Sequence, residues 1–411
     1  MRVSTQQVYD AGLRGIRDAQ NEVKRTQEQV ATGKRLLSPA DDPSSAALVL
    51  RVNVDISRSQ QYQRNSDIAN RDLRQQEVEI ESVETVLFRL RELTISAGNP
   101  TLGAPERRLL ATELDGLTEQ LRSVGNARQA TGEYLFAGFQ GLDPAFETRP
   151  GGVIEYAGDS GQRELQVGNG IDIAVRDNGR ALFVDVPAAN KTFQTERGSA
   201  NTGSGDIDVG RIVDQAAYDA VYPDDLVIRF STTVPGQVDV LRRNATTGAS
   251  AALVPPVSFS YSAGAPITVG GVEVRVSGTP AAGDEFLVKA STTQSLFTTV
   301  QRLSMALRSS PDTPAGAVER DAAIAETLGN LNLAEIHVFT SRADLGSRLQ
   351  LLDTVREELQ QTELVNKQLL SEVSDLDYNE AISRLTFQSF VLEAAQKSLA
   401  RVSNISLFDY L

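Results

Sequence analysis

Side chains suited to chemistry are scarce in this sequence. Its 411 residues include no Cys and one His. Without Cys there is no thiolate nucleophile, no thiolate metal ligand and no disulfide framework. His337 is then the one imidazole for general acid–base work, and alone it builds no His-rich metal cluster. It lies in Ile336-His337-Val338-Phe339, inside a helical pattern, where a packed or surface role is expected. Gly33-Lys34-Arg35 is not a phosphate loop, because Glu28 stands where the upstream Gly is needed and Arg35 replaces the Ser or Thr. Asp206-Ile207-Asp208-Val209-Gly210 starts like a calcium loop, but position five is Gly and position twelve is Ala217. Asp41-Asp42 and Asp224-Asp225 read as turn and cap residues rather than an acid–base pair. No His-Glu-x-x-His occurs, and the Asn-x-Ser/Thr patterns at Asn190, Asn244 and Asn404 carry no mechanistic weight. No catalytic, metal or cofactor-binding residue is assigned, no cofactor is expected, and the chain reads as not an enzyme.

Charge and hydropathy narrow the partners. The net charge of −14 argues against a nucleic-acid binder, which needs a basic face. No run of about 18 apolar residues occurs, so no membrane span is expected. Met1–Asp10 has no apolar core behind Arg2, which excludes a Sec-type signal and, taken alone, suggests a cytosolic protein.

The elements follow from apolar spacing. Tyr9, Ile16, Ala19, Val23, Thr26 and Val30 share one heptad frame. Ile80, Val83, Leu87, Leu90 and Ala97 form a second stripe, and Leu110, Leu114, Leu117, Leu121 and Val124 a third. Such spacing places these side chains on one helix face, which must meet another helix. Pro39 and Pro43 stop the first helix, Ser44 is expected to cap the next, and Asn99-Pro100 begins another turn. A helix from Ser44 to Ala97 would be roughly 80 Å long at about 1.5 Å per residue, with two helices kinked near Asn65 as the alternative. Between 150 and 290 the chain is rich in Gly, Pro, Thr and Val. Short alternating runs there predict strands at 152–156, 182–186, 226–230, 272–276 and 286–288, with a short helix within 212–222. Helical period then returns, with Leu345, Leu349, Leu352 and Leu359 in one stripe and Leu385, Leu392 and Leu399 at sevens. Ile382, Phe387, Val391 and Val402 stand beside the latter.

The fold class is therefore mainly α with an inserted β region. Both termini form a long antiparallel helical bundle or coiled coil, with an antiparallel β domain in the middle. The expected segments are an N-terminal polymerisation helix (1–43), a helical rod in two halves (44–145 and 292–370), a β-rich surface domain (146–291) and a C-terminal polymerisation helix (371–411). Residues 1–35 hold seven basic and four acidic side chains and residues 370–411 three and six, which favours pairing of the ends. Two thin terminal helices bury little area together, so they are expected to complete their burial on neighbouring copies. The expected interface residues are Tyr9, Ile16, Ala19, Val23, Val30, Leu385, Leu392, Leu399, Val402, Leu407 and Phe408.

Met1-Arg2-Val3-Ser4-Thr5-Gln6-Gln7-Val8-Tyr9 resembles the opening of a known family, as does Ala31-Thr32-Gly33-Lys34-Arg35 leading into Pro39-Ala40-Asp41-Asp42-Pro43. Gly132-Glu133-Tyr134-Leu135-Phe136-Ala137-Gly138-Phe139 is similar to that family's segment before its β domain. Arg342-Ala343-Asp344-Leu345-Gly346-Ser347-Arg348-Leu349 and the Ser406-Leu407-Phe408 close also match. The family is the flagellar hook–filament junction proteins (hook-associated protein 3) of the flagellin-like superfamily, and the resemblance covers roughly 1–142 and 295–411. It implies a ring subunit of the bacterial flagellum, bounded by identical subunits, a neighbouring hook-associated protein and flagellin. It also implies type III export without a cleaved signal, so an extracellular place in place of the cytosol. An export chaperone is expected on the stripe of Leu385, Leu392 and Leu399. Rival readings are a flagellin-type filament subunit and a glycan-binding module within 150–290, the latter weakened by the absence of Trp.

Overall fold

The structure is a computed structural model that describes the backbone of residues 5–408. The side chains of Thr5, Gln6, Val8, Val254, Pro255 and 402–408 lie outside the described residues, as do Met1–Ser4 and 409–411 altogether. Two compact units emerge: residues 1–65 with 354–411, and residues 66–353.

In the first unit, α1 (Thr5–Thr32) ends where Gly33 adopts φ 68°, a left-handed conformation that L side chains rarely adopt. A loop over 33–42 leads to α2 (Pro43–Ala97), which is one helix of 55 residues with no break at Asn65. The α2 cap is Asp42 rather than Ser44. Its carboxylate accepts from the Ser45 N–H at 3.1 Å, and Pro43 sits at the first helical position, where its missing N–H costs nothing. The last turns of α6 (Pro314–Ser374) and α7 (Tyr378–Phe408) complete this unit, and α1 packs along α7.

The second unit begins with the remainder of α2. Ile80, Val83, Leu87 and Leu90 are buried there, as are Leu331, Val338 and Leu345 of α6. Arg342 meets Glu84 at 2.7 Å and Arg91 meets Glu335 at 2.9 Å, so the two helices run antiparallel. Helix α3 (Ala104–Gly125) buries Arg107, Ala111, Leu114, Thr118, Leu121 and Gly125, so that beyond Arg107 only Leu114 and Leu121 of the expected leucine stripe are joined by small residues on the buried face. The reason is the close approach of α5 (Leu296–Ser309), whose Ser304 hydroxyl reaches Ala111 O at 3.2 Å and Asp115 Oδ1 at 2.6 Å.

Thirteen strands lie among the described residues between Phe146 and Thr293, and every strand pair is antiparallel. β1 (Phe146–Thr148) pairs with β2 (Ile154–Tyr156), and β3 (Glu164–Gly168) with β4 (Ile171–Ala174). A five-stranded sheet has the order β10-β9-β8-β13-β5, built from Ser250–Ser260, Gln237–Arg243, Asp225–Phe230, Glu285–Thr293 and Pro187–Arg197. A smaller sheet orders β11 (Pro266–Val269), β12 (Val272–Ser277) and β6 (Asp206–Ile207), with β7 (Arg211–Ile212) also on β12. Phe193, Ile228, Val240, Val272, Val274 and Phe286 form one core with Tyr218 of α4 (Gln215–Val221), the short helix expected within 212–222.

One expected strand is replaced. Arg180–Val184 is a π-helical turn. A strand would send Leu182 and Phe183 to opposite faces; the turn buries both. Phe183 stands 5.4 Å from Phe136, 5.2 Å from Phe146 and 6.0 Å from Phe297, ring centre to ring centre. This aromatic cluster also explains Gly132–Phe139: Tyr134, Leu135, Phe136 and Ala137 are buried beneath the strands, whereas Phe139 is exposed.

Candidate functional site: the terminal helix pair

The seam between α1 and α7 is built from thin residues. Ile16, Ala19, Val23 and Val30 of α1 are half-buried, and so are Leu385, Leu392 and Leu399 of α7. Gly12 lets the helices close in, since a Cβ there would stand 2.8 Å from Leu399 Cδ1. The seam is partly polar: Thr26 Oγ1 donates to Gln388 Oε1 at 2.7 Å, and both Thr26 and Gln29 are buried. Tyr9 is exposed, while Val402, Leu407 and Phe408 belong to α7 with side chains outside the described residues. The heptad residues thus meet within one chain. What they leave uncovered is the other side of α7, where Ile382, Phe387 and Phe390 are each more than half exposed. Heptad counting singles out the seam because leucines recur there; Phe390 is legible only as a phenylalanine three residues after Phe387.

The base of the pair is held by main-chain bonds. Arg35 N donates to Ser374 O at 2.8 Å and Leu376 N to Gly33 O at 3.0 Å, with Lys34 and Asp375 bridged antiparallel. Gln29 Nε2 reaches Arg35 O at 2.7 Å and Arg35 Nη2 reaches Val373 O at 2.9 Å. Asp41 accepts the N–H groups of Leu37 and Ser38 and meets Arg25 at 2.8 Å. The Ser38 amide is foremost in holding its carboxyl below the usual range. The Ser45 and Ser44 hydroxyls hold Asp42 well below it too. The consecutive aspartates are turn and cap residues, each satisfied by its neighbours.

Further along, Glu363 of α6 ties to α2 by accepting from Gln60 Nε2 at 3.2 Å and Gln63 Nε2 at 3.0 Å, while Lys367 lies 2.8 Å away. The Lys367 contact leads in pulling its pKa down, to about 2.

Other candidates carry less. His337 bonds to Ala181 O through Nε2 at 2.8 Å, which occupies that nitrogen. Among the described residues, no group of three or more His, Cys, Asp or Glu is placed to hold a metal, and no helix is long and apolar enough to cross a membrane. A cleft of about 380 Å³ in the strand region is edged by Arg149, Glu155, Arg180, Glu196 and Lys289. The aromatic in its lining, Tyr156, is buried with its hydroxyl donated to Phe136 O and Asp159 O, so it offers no ring face to a sugar.

Comparison with known proteins points the same way as the terminal pair. Residues 3–140 match the bacterial flagellin N-terminal helical region. Flagellar hook-associated protein 3 of Salmonella typhimurium is 31% identical over 183 residues, 44% of this chain and 57% of that protein, so the chain spans little more than half of that curated relative. The crystal structure of flagellar hook-associated protein 3 from Legionella pneumophila superposes with a TM-score of 0.53 at 28% identity, covering 79% of this chain and 98% of that one. A structure of the flagellar junction protein FlgL from the same organism gives 0.50 at 28% identity, covering 80% and 100%. The chain therefore carries the flagellin N-terminal helical region and has flagellar hook-associated proteins 3 as its homologues.

Proposed function

We propose that this chain is a structural subunit of the bacterial flagellum, not an enzyme, that connects the hook to the flagellin filament. The observation that carries this reading is the terminal pair: two helices from opposite ends of the chain that share one thin seam and leave Phe387 and Phe390 of α7 uncovered. A large apolar face without an internal partner marks an interaction surface. Identical subunits, a neighbouring hook-associated protein and flagellin are its proposed partners, and its proposed place is extracellular, after type III export. The likeness to proteins named for the hook and the junction supports this.

The chaperone reading is proposed in altered form. Leu385, Leu392 and Leu399 are half-buried against α1, so an export chaperone that takes this stripe does so before α1 and α7 pair. The interface role of Ile16, Ala19, Val23 and Val30 is likewise proposed through the folded pair, whose seam they fill, and that of Tyr9 through its exposed ring.

Immunogold labelling of intact flagella tests the reading. A single band at the hook–filament boundary is expected, and cells lacking the chain should keep hooks and shed flagellin monomers. The flagellin match over residues 3–140 favours a second reading, a filament subunit, which predicts label along the whole filament.

A further inference from the structure

The first unit holds two uncovered apolar surfaces of complementary form. One is a ridge on α7. Phe387 and Phe390 are 67% and 68% exposed, with Val391 and Ala394 beside them. These positions fall at i, i+3, i+4 and i+7, the spacing with which an amphipathic helix anchors in a groove. The other is an open trough of about 750 Å³ at the base of the pair. Leu36, Leu37, Pro43, Ala46 and Leu50 line one side and Leu370 the other, and Leu50 is 68% exposed.

The ridge cannot enter the trough of its own chain. Helix α7 starts at Tyr378, three residues beyond Asp375 in the trough wall, and continues unbroken to Phe408. At about 1.5 Å per residue, Phe390 lies about 18 Å along the axis from Tyr378. A continuous helix does not fold back on its own first turn. The occupant that brings a matching ridge to this trough is a second copy, shifted by roughly that distance along the axis.

We infer that the Phe387–Ala394 ridge of one copy seats in the Leu36–Leu50 trough of the next. The inference rests on the proposed assembly through terminal helices and names the surfaces that join. The contact is heterologous, since ridge and trough are different surfaces, so each bound copy presents a free ridge or a free trough to another. Such contacts propagate into a ring or a helical array and do not stop at a dimer. Its size agrees. Two phenyl rings bury about 150–250 Å² each, well short of the roughly 800 Å² per partner of a standard stable interface. One contact is therefore weak and holds only when repeated around an assembly.

The absence of native Cys makes the test clean. Cells co-express one chain carrying Leu50→Cys and another carrying Phe390→Cys, and isolated flagella are treated with a short bismaleimide. Mixed dimers are expected at about ten times the yield from Phe390→Cys paired with Gln361→Cys, an exposed position away from the trough, because reaction follows local concentration. A chain carrying both Leu50→Cys and Phe390→Cys should give a ladder of multimers. Flagella that contain both chains but yield no mixed dimer above the control overturn the inference and leave the assembly reading standing. Phe390→Cys linked instead to a different flagellar protein assigns the ridge to that partner and also overturns it. Chains that fold, by circular dichroism, yet never appear in flagella even as wild type sink both readings.

Discussion

The two compact units are stabilised in opposite ways. In residues 66–353 most phenylalanines point inward: Phe136, Phe146, Phe183, Phe193, Phe286 and Phe297 are fully buried, while Phe88, Phe139 and Phe339 are exposed. Even a charge is enclosed there. Arg302 is buried, with Nε on Gly210 O, Nη1 on Thr192 Oγ1 and Gln294 Oε1, and Nη2 on Phe193 O, all at 2.6–3.0 Å. In residues 1–65 and 354–411 the described phenylalanines point outward, and the seam is closed by a glycine, half-buried aliphatics and a Thr–Gln hydrogen bond. The lesson is that burial inside the chain goes with self-sufficiency, whereas the terminal pair withholds its largest apolar groups from its own fold.

Four substitutions break or sharpen that contrast. Phe183→Ala should be the most damaging, destabilising the second unit by about 3–5 kcal/mol through a cavity in the aromatic cluster, read as a lowered urea midpoint. Arg302→Met should cost about 3 kcal/mol in the same assay, because it strands the carbonyls of Phe193 and Gly210 in a dry interior. The Glu363 clasp predicts a smaller effect with a definite sign. Its folded pKa of about 2 lies below the ordinary glutamate value, so its stabilisation is fully present above about pH 4.3 and is lost as pH falls toward 2. Glu363→Gln should remove that part of the pH dependence and cost under about 1 kcal/mol at neutral pH, measured by thermal melts across pH 2–7. Phe390→Asp, which brings a charge that the apolar trough cannot accept, should change the stability of the isolated chain by no more than about 0.5 kcal/mol, yet remove it from isolated flagella. A loss of stability comparable to that of Phe183→Ala would erase the contrast between the units.

Much of the architecture was legible beforehand because it rests on local rules. Ile80, Val83, Leu87 and Leu90 lie on one buried face because three- and four-residue steps place them there. Helix α4 and the strands at 226–230 and 272–276 follow from period and turn residues in the same way. The strand expected at 182–186 failed because alternation was read in isolation. Phe136 and Phe146 come from the segment before that strand and Phe297 from the helix after the sheets; their rings enclose Phe183, and Leu182 is buried with it. The cap at Asp42 was missed in favour of Ser44 because both types cap well; Pro43 at the first helical position decides between them.

The candidate site divides along the same line. Heptad spacing by itself determined that the two ends carry apolar stripes suited to helix pairing, since spacing alone sets which side chains share a face. Which stripe is consumed within the chain and which remains free was decided only by tertiary structure. Gly12 and Leu399 are 387 positions apart, yet their approach turns the leucines of α7 inward and leaves Phe387 and Phe390 in water. A helix has two sides, and only its packed neighbour determines which of them is left for another molecule.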